Sequence, residues 1–165
     1  MSITATDEGV RAIYDWQAKS IEQTAAMLAH WVSTTNPEKL DWCPELKGRG
    51  RSVYDQINEC AGVNRSFAAV LRGETPAKRA EEHSYTSAAH AGDDLIASGK
   101  ELAEAVRNLG PEALTAKYTL RMGEVPGAVL VSVPLANMNY HAGQVNFIQL
   151  LDGDEDFHLP PGFFG

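Results

Sequence analysis

Tyr85, Ala88, Gly92, Leu95, Gly99, Leu102, Val106 and Leu109 recur in alternating steps of three and four, a spacing that no strand pairing produces. The segment 85–109 is therefore expected to be a long helix that buries one stripe. Two positions of that stripe are glycines, a costly choice inside a helix unless a neighbouring backbone or side chain comes close there. Such a helix needs partners, and three other segments share its period. Val10, Ile13, Tyr14, Ile21, Thr24, Leu28 and Trp31 mark a first helix over 7–33 that ends before Asn36-Pro37, with Gln17 read as a polar residue at its flank. Ser52 followed by Asp55 reads as an N-cap with an acidic first turn, opening a second helix over 52–72. Its apolar stripe is Val53, Ile57, Cys60, Asn64, Phe67 and Leu71, and the run Lys78 to His83 reads as a solvated connection.

Gly110-Pro111 stops the third helix, and the alternation from Thr115 to Met122 suggests a short extended segment. Val129, Val131 and Val133 look strand-like, yet Val133, Asn137, Tyr140, His141, Gln144, Ile148 and Leu151 fall on one helical face. The segment 127–151 is read as a fourth helix, with Pro134 in its first turns or kinking it. The expected fold class is all-α: a four-helix bundle with a short extended segment before the last helix, residues 1–165 forming one domain.

At this length folding removes roughly 70% of the surface that the unfolded chain exposes, so any metal would serve function rather than stability. A net charge of -8 opposes the phosphate backbone, and the only basic cluster is the short Lys47-Gly48-Arg49-Gly50-Arg51 run, so no nucleic-acid partner is expected. The most apolar stretch, Val125 to Leu135, falls short of the ~20 residues of a membrane span, and Met1-Ser2-Ile3 opens no basic, then apolar, leader. The expectation is a soluble, cytoplasmic protein with Cys43 and Cys60 as free thiols. Nucleotide-binding glycine loops, nucleophile elbows and the zinc-protease motif are absent from the sequence.

Chemistry concentrates on the fourth helix. At 100° per residue Asn137, His141, Gln144 and Ile148 lie within about 60° of one another, so three polar groups interrupt an apolar stripe. They form either a self-satisfied structural cluster or the wall of a wet or metal-holding cavity. His30, His83, His90 and His158 share no such spacing and are expected at the surface or as caps.

Ser52-Val53-Tyr54-Asp55-Gln56-Ile57, Asn139-Tyr140-His141-Ala142-Gly143-Gln144 and the closing Gly153-Asp154 together resemble the DinB-like (YfiT-type) superfamily of bacterial helical bundles, over nearly the whole chain. The resemblance implies a bundle that is often dimeric and holds a divalent metal on three histidines, one on the second helix and two as H-x-x-x-H on the last. Characterised members of that superfamily include thiol-cofactor-dependent transferases and isomerases. Carried over, the last histidine matches His141, the one before it falls on Asn137, and the second-helix histidine falls on Glu59. The resemblance thus implies Glu59, Asn137 and His141 as the metal set, Tyr140 and Gln144 as cavity wall, and a homodimer formed by helix faces. By its own periodicity Glu59 sits at the edge of its helix's stripe, where a solvated glutamate is equally expected.

Two readings follow. One is a metal-dependent transferase or hydrolase acting on a small molecule through a Glu/Asn/His site, which suits a harder ion than an all-histidine set. The other is a metal-free bundle that binds a small molecule or a second subunit in the same cavity.

Overall fold

The computed structural model describes residues 7–45, 48, 50–120 and 123–160. Four α-helices carry it: α1 (Asp7–Thr34), α2 (Val53–Leu71), α3 (Ala88–Arg107) and α4 (Gly127–Leu151). A 3-10 turn, Pro37–Lys39, follows α1. Two short strands, β1 (Lys117–Leu120) and β2 (Gly123–Pro126), pair antiparallel before α4, with Tyr118 opposite Val125. The fold is thus mostly all-α, and the expected extended segment is the first half of a hairpin. The preceding backbone ties that hairpin to α4, because Gly127 N–H donates to Ala116 O and Ala128 N–H to Leu114 O. Lys47 and Arg49 of the basic run, and Arg121 and Met122 of the alternating segment, lie outside the described residues.

Helix α1 packs on α3 and α4, and α2 packs on the same two, so α1 stands diagonally across from α2. The most extensive of these contacts is α1 with α3, and the two glycines explain it. A Cβ on Gly99 would sit 2.7 Å from that of Ala25, and one on Gly92 would sit 3.4 Å from that of Ala29. Small residues on both helices thus let the backbones approach. The core is continuous through all four helices, with Tyr14, Ile21, Leu28, Ile57, Leu95, Leu102, Leu130, Met138 and Ile148 among its largest fully buried members.

The start of α2 follows the sequence reading: Ser52 Oγ accepts from Asp55 N–H while the Asp55 carboxylate accepts from Ser52 N–H, a reciprocal capping box. Helix α3 begins later than expected, at Ala88, because Ser87 caps it by accepting from His90 N–H. Tyr85 lies in the extended approach and is buried with its hydroxyl on Asp94 at 2.7 Å.

Several expectations need correction. Ile13 is half exposed, whereas Gln17 is buried and donates to Val131 O at 2.6 Å. Gln17 is a cross-bundle tie between α1 and α4, not a flank residue. On α4, Val133, Tyr140 and Leu151 face outward, and the buried stripe runs through Leu130, Val131, Pro134, Met138, His141, Ala142, Val145 and Ile148. His83 is not a freely solvated residue. Its ring lies against those of Tyr54 and Tyr85 and its Nε2 meets Asp41 at 2.9 Å. His158 is held by Asp154 at 2.7 Å, and the tail lies against α1 through Trp31 Nε1, which donates to Phe157 O. No helix among the described residues is long and apolar enough to cross a membrane.

Candidate functional site

The facing walls of α2 and α4 and the loop before α2 enclose an open pocket of about 420 Å³, lined by Glu59, Asn137, Tyr140, His141 and Gln144 together with Arg51 and Gln56. All five residues singled out from the sequence therefore meet in one place. Pro44, Phe147 and Ile148 supply its apolar surface.

His141 reaches the pocket from one turn beyond Asn137, on the inner face of α4, and is only 2% exposed. Its Nδ1 lies 2.7 Å from Gln144 Oε1. An amide oxygen can only accept, so Nδ1 carries the proton and Nε2 presents its lone pair to the pocket. Burial holds the ring below the usual histidine range. The Gln144 bond works the other way, and the nearby positive charges of Arg51 and Arg79 add to the lowering. At neutral pH the imidazole is therefore uncharged.

Glu59 faces this lone pair from α2, with Oε1 at 3.5 Å from Nε2. Its other oxygen, Oε2, is paired with Arg51 Nη1 and has Arg79 Nη1 at 3.9 Å. Glu59 is accordingly half-buried under two guanidiniums, at the edge of its helix's stripe as its periodicity implied but not a freely solvated glutamate, while the Lys78–His83 connection is largely exposed and sends Arg79 back to it. Arg79 can lie there because its stem crosses α2 over Gly62, where any Cβ would meet it at 2.4 Å.

The buried side-chain atoms left without a partner at the pocket are all acceptors. His141 Nε2, Asn137 Oδ1 and Gln56 Oε1 are buried without a partner. With Glu59 Oε1 they make a wall of acceptors without a protein donor between them. Buried acceptors left unpaired cost roughly 1–3 kcal/mol each, so a cation or a proton-donating ligand is what this wall lacks. Of the two free thiols, Cys43 is exposed in a loop, whereas burial pushes the Cys60 thiol up to about 12 and keeps it protonated.

A divalent ion of the kind the resemblance implies fits this wall in part. The 3.5 Å between Nε2 and Oε1 is shorter than two bonds of ~2.0–2.2 Å laid end to end, so one ion can touch both. The outer atoms are already tied, Nδ1 to Gln144 and Oε2 to Arg51, which is how ligating histidines and carboxylates are usually held. The third donor, Asn137, is a weak amide oxygen, and no group of three His, Cys, Asp or Glu side chains placed to hold a metal ion is found among the described residues.

Sequence reasoning missed Arg51, Arg79 and Gln56. Gln56 stands in the same quoted stretch as Ser52 and precedes Glu59 by three positions, so helical spacing was a usable signal for it. The two arginines come from loops, where spacing carries none.

A mostly helical bundle with a polar pocket between two of its helices defines a class of cavity-bearing four-helix proteins. Within that class the chain belongs to the DinB superfamily, whose family model matches residues 20–145. Two solved structures share the fold. A DinB-like protein of Bacillus subtilis aligns with TM-score 0.64 at 16% identity, over 89% of this chain and 95% of its own. A DinB-like protein of Bacillus cereus aligns with TM-score 0.63 at 14% identity, over 90% of this chain and 94% of its own. No curated protein sequence matches the chain.

Proposed function

We propose that the pocket is the active site of a transferase or hydrolase for a small molecule, with a divalent cation held by His141, Glu59 and Asn137. The observation that carries this reading is the pair of acceptors, His141 Nε2 and Glu59 Oε1, facing each other at 3.5 Å without a donor between them. Bound there, the ion supplies Lewis-acid polarisation of a substrate oxygen. The protein's own groups set the rest. Gln144 fixes the tautomer of His141, burial keeps the ring neutral, and Arg51 orients the Glu59 carboxylate. Phe147, Ile148 and Pro44 hold the substrate's apolar part and exclude water from one side.

A metal-free binding pocket is the second reading, favoured by the two guanidiniums on Glu59, whose charge opposes any cation. Titration of EDTA-stripped protein, purified without a metal-affinity column, with Mn²⁺ and Zn²⁺ separates the two. The expected result is one ion per chain, lost in His141→Ala and bound at least about tenfold more tightly in Asn137→His, which restores a two-imidazole pair. No uptake of either ion by the wild-type chain overturns the metal reading.

We also infer a homodimer. Helix α4 has no Asp, Glu, Lys or Arg in its 25 residues and leaves Val129, Val133, Phe147 and Leu150 exposed. A row of large apolar side chains left exposed on an uncharged helix calls for cover.

A further inference from the structure

Arg51 and Arg79 are more than Glu59 needs. One guanidinium neutralises one carboxylate, yet two reach the same oxygen, and the side chains of both stand largely open, 50% and 43% exposed, above a Glu59 that is 21% exposed. Neither arginine has another carboxylate partner among the described residues. The neighbouring acids are already committed: Asp55 caps the N-terminus of α2, and Glu81 pairs with Lys78 at 3.0 Å. Two guanidiniums therefore stand over one carboxylate beside the pocket, in a chain whose net charge is -8. Each guanidinium has five N–H donors in a planar fork, of which only one or two can face Glu59.

We propose that Arg51 and Arg79 bind the carboxylate of a small substrate whose remainder is apolar and lies against Phe147, Ile148 and Pro44. A planar carboxylate matches the fork that the guanidiniums leave free. The apolar wall sits in the same pocket as Arg51, so one molecule of modest size reaches both. Its carboxylate then alternates with Glu59 between the two cations, and its nearest atoms approach His141 Nε2. This assignment rests on the reading of the pocket as a substrate site and requires no bound ion.

The probes are benzoate, uncharged benzamide and dianionic phenyl phosphate, titrated calorimetrically into the full chain in EDTA. Benzoate should bind more tightly than the other two. Arg51→Gln and Arg79→Gln should each weaken benzoate about tenfold while leaving benzamide unchanged, which also reports an intact pocket. Glu59→Gln separates this inference from the metal reading, because it frees the arginines and should tighten benzoate several-fold while weakening Mn²⁺ uptake. Lys117→Gln, which removes an exposed cation paired with Glu124 on the hairpin, should change neither. Benzoate binding no tighter than benzamide, insensitivity to both arginine substitutions, or a preference for phenyl phosphate overturns the proposal. Failure of Mn²⁺ and Zn²⁺ to bind while benzoate still depends on Arg51 overturns the metal reading alone.

Discussion

Gln17 shows how a single polar side chain can hold two helices in register. Pro134 has no N–H, so the carbonyl four residues before it, that of Leu130, loses its helical partner. Gln17 Nε2 reaches across from α1 and donates to Val131 O in this stretch. Gln17→Ala should cost about 1–3 kcal/mol in urea unfolding, since it removes a buried hydrogen bond between α1 and α4 and leaves a small void. A cost near zero would show that water or a neighbour replaces the amide. Periodicity could place Gln17 on the inner side of α1 but not reveal its partner, which is 114 positions away in sequence. The same limit separates the legible from the hidden parts of the pocket. Asn137, His141 and Gln144 share a helix face, so the 100° step brings them together without tertiary information. Arg51 and Arg79 enter from loops, and only the packed bundle shows that their charges fall on Glu59.

At the scale of elements, the two glycines of α3 make opposite predictions. A Cβ at Gly92 meets Ala29 at 3.4 Å, ordinary contact, so Gly92→Ala should be neutral or stabilise by up to ~1 kcal/mol through helix propensity. At Gly99 the Cβ of Ala25 would be 2.7 Å away, on a side chain too short to move without its backbone. Gly99→Ala should therefore destabilise by about 1–3 kcal/mol despite the same gain in propensity. Thermal unfolding of both variants beside the wild type checks the pair, and equal shifts would mean that α1 and α3 do not approach as described. The buried face of α3 was legible because charged residues fill its other side and set the phase of the stripe. Helix α4 gives periodicity no such reference. Its residues are apolar or uncharged all round, so Val133, Tyr140 and Leu151 could be grouped with His141 although they point outward. The second strand of the hairpin was hidden for a different reason. Gly123–Pro126 has no period of its own, and its backbone pairs only because β1 runs beside it.

For the whole molecule, the proposed homodimer turns on the outward face of α4. Val129, Val133, Tyr140, Phe147 and Leu150 are all more than a third exposed, and Gly143 lies among them with open space above its Cα. A stripe of this kind on an uncharged helix is self-complementary. Two copies related by a twofold axis can cross over the glycine, where backbones approach most closely, without setting any charge on α4 against its mate. The rest of each chain is strongly acidic, so long-range repulsion opposes the pairing and salt should strengthen it. Sedimentation equilibrium at micromolar concentration is expected to give twice 17.9 kDa, with tighter association at 0.5 M than at about 0.05 M NaCl, where the Debye length is longer. Val133→Glu should weaken the dimer at least about tenfold, because the twofold axis brings two like charges into one apolar seam, while its exposed position leaves the monomer's core untouched. Tyr140 and Phe147 belong to the stripe and to the wall of the pocket alike, so pairing also narrows the pocket's mouth. A wild-type chain that sediments only as the monomer at both salt concentrations would leave α4 uncovered and refute the dimer.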